Sequence, residues 1–267
     1  MQKDTVNPID NPADAVSTLV FRPLGRKNAY EEVSEQIRRL ILTQKLSPSH
    51  RLPTERDLAE QFGVSRVVIR EAIRSLECSG LLTVKKGPRG GIFAAQQHGR
   101  PITDSIMNLL IGGTASLTNL FEMRLLIEPY AAFRAAEQAT PPDLDALEAI
   151  LREGEKAGEN FAEIRAHNID FHRTILHMSR NPVMAVIGDT VLRILSDRIE
   201  GVVSRRTTLT ALGMHKRIFE ALRNHQAAQA EALMRKDIQV TGQRLSELGP
   251  ETLAKLAVQQ PSELAPL

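Results

Sequence analysis

Two groups of side chains in this sequence have the types and spacing to do chemistry. The first is Arg66, Arg70 and Arg74, four residues apart. On a helix that spacing puts all three on one face, away from a stripe of Ile69, Ile73 and Leu76. Arginine carries a rigid fork of donors matched to guanine edges and phosphates. This face therefore predicts DNA contact, with Arg66, nearest the helix N-terminus, as the leading base reader. The second group is Asn168, His172, His215 and Asp237, polar residues where the periodicity wants apolar ones. Asn168 and His172 flank the Ile164, Phe171 and Ile175 stripe, His215 sits among Leu212, Ile218 and Leu222, and Asp237 falls beside Leu233 and Val240. A buried polar group left unpaired costs about 1–3 kcal/mol, so an inward cluster must be satisfied mutually, by a ligand or by a metal. Two imidazoles and a carboxylate suit a divalent cation, Zn first, with Ni or Mn as alternatives and water positions left for an effector. The other reading is a hydrogen-bonded polar core. Arg124, in the stripe of Leu120, Ile127 and Ala131, suits a bidentate contact with an anionic effector, or a salt bridge with Glu122 or Glu128.

The elements that must position these groups are mostly helical. Tyr30, Val33, Ile37, Leu40 and Ile41 recur at helical steps and give a first amphipathic helix. Thr54 is an N-cap type with Asp57 three residues on, Gly63 ends the second helix, and Ser65 caps a third that runs to Gly80. Two short helices joined by a turn read as a helix-turn-helix, whose second helix enters the major groove. Leu82–Lys85 and Gly91–Ala95 then read as two strands around a Gly-rich tip, making a winged helix-turn-helix over 29–98. Beyond it, helices are predicted at about 102–111, 116–138 with an interruption at Pro129, 141–157, 161–179, 182–203, 208–224 and 226–248. The fold class is mainly α, with an all-α antiparallel bundle over 99–248. Residues 1–28 read as a flexible arm and 249–267, with three prolines, as a frayed tail.

Charge divides the same way. The 267-residue chain has a net charge of only +2, but between Val20 and His98 it carries 14 Lys and Arg against 8 Asp and Glu, a net of +6. A basic domain followed by a mildly acidic one implies a polyanion partner for the first. The single cysteine, Cys78, excludes an internal disulfide and a cysteine-rich zinc site, fits a cytoplasmic setting and reads as a packed residue. No apolar run approaches the ~18 residues of a membrane span. There is no HExxH, GxSxG, P-loop or dinucleotide motif, which leaves a metal-dependent hydrolase built on the His/His/Asp set as the only enzymatic alternative.

The run Arg51-Leu-Pro-Thr-Glu-Arg-Asp-Leu-Ala-Glu-Gln-Phe-Gly-Val-Ser-Arg, with Ile69-Arg-Glu-Ala and Leu76 through Leu82 after it, resembles the DNA-binding domain of the GntR family of bacterial transcription regulators. Glu122-Met-Arg-Leu-Leu-Ile-Glu, Phe171-His-Arg, Asn181-Pro and His215-Lys-Arg-Ile-Phe-Glu-Ala-Leu are similar to the ligand-binding domain of its FadR subfamily. The resemblance covers residues 30 to about 248. It implies DNA contacts at Arg56, Arg66, Val68 and Arg70 and at Lys86 and Gly87 of the wing; Ser65 and Val67, in the same turn, complete the expected set. It also implies a metal site in the bundle, with Asn168 where the family often has Asp and Asp237 where it often has His. The expectation is a homodimeric repressor on a palindromic operator, released by a small carboxylate such as a sugar acid or another organic acid. A metal-free regulator that binds acyl-CoA is the alternative within the subfamily.

Overall fold

The computed structural model of the protein describes residues 29–95, 99–199 and 205–258; the predicted N-terminal arm lies outside them. Helix α1 (Ala29–Leu42), α2 (Glu55–Phe62) and α3 (Arg66–Cys78) precede strands β1 (Leu82–Lys85) and β2 (Gly91–Ala94). The caps do what their residue types dictate. Thr54 Oγ1 accepts from Asp57 N, Gly63 closes α2 in the left-handed region at φ 63°, and Ser65 Oγ accepts from Val68 N. Leu58, Ile69, Ala72, Ile73 and Leu76 pack with Val33 and Ile37 of α1 into one apolar cluster, so α3 is held by its inward stripe and shows its arginines outward. The strands pair antiparallel from Leu82↔Ala94 to Lys85↔Gly91. A short third edge joins them: Leu52 N donates to Ile92 O at 2.8 Å, Ala94 N donates to His50 O at 2.9 Å, and Arg51 bridges to Phe93.

A separate cluster fills the C-terminal part, built by α4 (Arg100–Ile111), α5 (Leu117–Gln138), α6 (Pro141–Lys156), α7 (Phe161–Met178), α8 (Pro182–Ile199), α9 (Arg205–Arg223), α10 (Ala227–Ser246) and α11 (Pro250–Val258). On α7, Phe171, Ile175 and Leu176 are fully buried, each contributing about 1.5–3 kcal/mol of apolar burial, enough to fix the helix that carries His172. The α5–α10 contact uses small residues. Ala131, Ala132, Ala135 and Ala136 of α5 and Ala230 of α10 are completely buried, which lets the two backbones approach closely.

Three expectations are corrected. Helix α5 is not interrupted at Pro129 but runs unbroken from Leu117 to Gln138. Proline has no N–H for the carbonyl four residues back, and here that carbonyl, Leu125 O, accepts from Arg235 Nη1 of α10 at 3.3 Å. The predicted tail does not begin at 249, since Pro250–Val258 form α11 and bury Leu256 and Ala257 against the bundle; its residues 259–267 lie outside the described ones. Gly249, at φ 76°, makes the turn, and Pro250 stands at the first helical position, where its missing N–H costs nothing. Cys78 is exposed rather than packed.

Candidate metal centre and nucleic-acid interface

Three of the four inward polar residues converge. His172 comes from α7, His215 from α9 and Asp237 from α10, and one donor atom of each lies within 4.8 Å of the others. His172 Nε2 is 3.1 Å from His215 Nε2 and 3.3 Å from Asp237 Oδ2, and His215 Nε2 is 3.6 Å from Asp237 Oδ2. Ligands about 2.0–2.2 Å from one ion at octahedral or tetrahedral angles stand roughly 2.8–3.6 Å apart, so the triangle matches a coordinating set. All three residues are buried. Asn168 lines the same cavity of about 80 Å³ and donates Nδ2 to Thr208 O at 3.3 Å, while among the described residues its buried Oδ1 has no hydrogen-bond partner. An orphaned amide oxygen beside the triad is an acceptor awaiting a cation or a donor. Together these observations fit a divalent ion.

Arg124 also lines the cavity, and of its two predicted partners it takes Glu128. Nε donates to Glu128 Oε1 at 2.5 Å and Nη2 to Oε2 at 3.1 Å. What the sequence reading missed is the second contact of that carboxylate, with His172 Nδ1 at 2.6 Å. The signal was present: Arg124 and Glu128 are i, i+4 on the stripe of α5 that faces α7 and α10. Burial pushes the Glu128 carboxyl up, but the neighbouring Arg124 and His172 charges bring it down to about 2. The two imidazoles move in opposite directions. Burial lowers His172, yet Glu128 and Asp237 hold it above the ordinary imidazole value, whereas burial leaves His215 below it. Asp237 is desolvated but is kept far below the usual carboxylate range by His215 and His172. The two rings of the site are therefore electrostatically unequal, with His172 holding a proton more readily than His215.

On the other domain, Arg66, Arg70 and Arg74 are all exposed on α3. Ser65 spends its hydroxyl on the N-cap, Val67 is exposed and Val68 packs on the core. Arg56 is the freest cation of the group, 82% exposed beside Asp57. At the wing tip Lys86 is exposed and Gly87 has φ 99°, a backbone region favourable only for glycine. Gly90 N donates to Gly87 O, and Arg51 Nη2 braces the turn through Gly90 O at 2.9 Å.

A helix-turn-helix with a braced wing, followed by a helical domain that buries a polar cluster, has the architecture of a DNA-binding regulator. Comparison with known proteins gives the family. Residues 29–93 match the model described as bacterial regulatory proteins, gntR family, and residues 119–240 match the FCD domain. The chain belongs to the gntR family, with an FCD domain as its C-terminal module. It is 26% identical over 234 residues to the HTH-type transcriptional repressor NanR of Escherichia coli (strain K12), covering 81% of this chain and 84% of that one. With NanR of Shigella dysenteriae serotype 1 (strain Sd197) it is 27% identical over 223 residues, covering 81% and 80%. Among solved structures, Streptococcus agalactiae GntR aligns at a TM-score of 0.58 and 26% identity over 80% of this chain and 99% of that one. The chain is thus a DNA-binding transcription regulator and not an enzyme, which sets aside the hydrolase alternative. No helix among the described residues is long and apolar enough to cross a membrane.

Proposed function

We propose that this protein is a homodimeric repressor whose hold on a palindromic operator is adjusted by a small carboxylate bound at a metal-containing site in the FCD domain. The observation that carries the reading is the convergence of His172, His215 and Asp237 on a cavity also lined by Arg124 and Asn168. His172 Nε2, His215 Nε2 and Asp237 Oδ2 would hold a divalent cation, Zn first, then Ni or Mn, with Asn168 Oδ1 beside them. Such a cation supplies an electrophilic contact for an effector carboxylate; Arg124 supplies a fixed positive charge on the same wall. Two imidazoles, a carboxylate and a guanidinium on one cavity wall favour a small polar effector over a long acyl chain, which disfavours the acyl-CoA alternative.

Base reading is assigned to Arg66 and Arg70, with Ser65, Val67 and Val68 forming the rest of the helix's approach to the groove. Phosphate contacts fall to Arg56, Lys86 and the Gly87 backbone. Dimerisation is supported by an exposed apolar stripe on α5, Met123, Leu126 and Tyr130, at helical spacing and suited to a second copy. The two-fold symmetry of a palindrome requires such a pairing. Effector binding shifts the operator-competent population only by its differential affinity for the two arrangements of the dimer. The test is a gel shift on the operator region with Zn-loaded protein and a panel of sugar acids and organic acids. Release by a member of the panel, lost in His172→Ala/His215→Ala, is the expected result; binding indifferent to every acid and to Zn would overturn the effector reading. Arg66→Ala is expected to abolish specific binding with the fold intact.

A further inference from the structure

The triad faces one way because something holds the far edge of His172. That edge, Nδ1, lies 2.6 Å from Glu128 Oε2, and the same carboxylate takes Arg124 Nε and Nη2. Glu128 is 1% exposed, so protein groups alone satisfy it. His215 has no equivalent anchor. Among the described residues its Nδ1 is buried without a hydrogen-bond partner, and its ring is held by stacking on Phe171 at 4.3 Å between centroids. The two imidazoles of the site are therefore unequal: one is oriented by a charge, the other by packing.

We propose that Glu128 is the positioning residue of this site, keeping the proton of His172 on Nδ1 and its Nε2 lone pair turned toward Asp237 and His215, and that Arg124 acts first as the lock on Glu128. Its consequence for metal affinity rests on the reading given under Proposed function; its geometry does not. A carboxylate that accepts from one imidazole nitrogen fixes which nitrogen is free to ligate and makes that nitrogen a better donor. The assignment also changes the part played by Arg124. With Nε and one N–H of Nη2 spent on Glu128, Nη1 and the second N–H of Nη2 are left for an incoming anion, so an effector that engages Arg124 pulls on the group that orients His172. Metal and effector are coupled through one carboxylate rather than bound side by side.

The experiment uses full-length protein labelled with ¹⁵N-histidine. In the wild type, His172 is expected to show a protonated Nδ1 with a slowly exchanging proton, and Zn(II) to perturb Nε2. Glu128→Gln is expected to lower Zn(II) affinity 10- to 100-fold in competition with a chromophoric chelator. Because that variant leaves Arg124 as an unmatched buried charge and can lose its fold, Arg124→Leu/Glu128→Gln accompanies it, with circular dichroism as the check that the helices persist; the same loss is expected there. An unprotonated Nδ1 in the wild type, or a folded variant with Zn(II) affinity within twofold of wild type, overturns the proposal. If the wild type takes up no Zn(II), the metal reading fails, and the Nδ1 proton by itself decides the role of Glu128: present supports it, absent overturns it.

Discussion

The Glu55 carboxylate at the start of α2 sits 2.8 Å from Arg70 Nε on α3, and the same oxygen is 3.9 Å from Arg66 Nη2. An acidic residue thus spans the two arginines assigned to base reading. As an exposed pair it contributes little to stability, typically below ~1 kcal/mol, but it competes with any phosphate for those guanidiniums. Glu55→Gln is expected to raise affinity for non-operator DNA about 3- to 10-fold and to steepen the log–log salt slope by roughly one, so that discrimination falls although binding tightens. Fluorescence anisotropy on operator and scrambled duplexes across a salt series measures both; an unchanged slope would show that the pair is already broken in every DNA complex.

The metal reading makes stability depend on metal concentration. An ion that binds only the folded state stabilises by mass action, about 2.7 kcal/mol at a hundred times its Kd. Zn(II) added to chelator-stripped protein is expected to raise Tm progressively, and His172→Ala/His215→Ala to abolish the increase. A Tm insensitive to Zn(II) and to chelator in the wild type would count against a bound ion.

Acid should destabilise the metal-free protein through its depressed buried carboxylates, Glu128 among them. The Glu128 pKa lies at about 2 in the folded chain against an ordinary 4.5. A depressed carboxylate stabilises fully above its unfolded pKa, and that contribution disappears as pH falls through the folded one. At about 1.4 kcal/mol per pH unit, the contribution is of the order of 3 kcal/mol and is lost between about pH 4.5 and 2. Urea midpoints in EDTA are expected to fall steeply over that window in the wild type and more gently in Glu128→Gln; parallel curves would assign acid sensitivity to another group.

Helices α7 and α8 touch at Gly188, where a Cβ would stand 2.5 and 2.7 Å from the two Cδ atoms of fully buried Leu176. Gly188→Ala is expected to cost about 1–3 kcal/mol through overpacking, and Leu176→Ala in the same chain to recover part of it, a coupling that a double-mutant cycle reads directly. Additive losses would mean that the helices separate instead of interlocking.

Local chemistry was legible in the sequence and tertiary rescue was not. Thr54, Gly63 and Ser65 act on backbone groups within three or four residues, so the limits of α2 and α3 could be read from their types. Pro129 reads as a break in the sequence because its compensation comes from Arg235, far away in the chain, and no periodicity records a guanidinium arriving at a lone carbonyl. Proline density hid α11, although Leu253, Leu256 and Ala257 have helical spacing. The triad was visible as polar residues on apolar stripes. Glu128 was visible only as a partner for Arg124, since the approach of His172 to its other side depends on how α5 meets α7.

The alanines of α5 have a consequence for signalling. A methyl side chain has no rotamer to change, so the buried alanine stretch leaves little room for α5 and α10 to slide past one another. Asp237 rides on one and Glu128 on the other, and the outer surface of α5 carries Met123, Leu126 and Tyr130. In the function proposed above, the inner contact acts as a stiff link, through which a displacement at the polar cavity is passed to the outer stripe and to the second copy docked there.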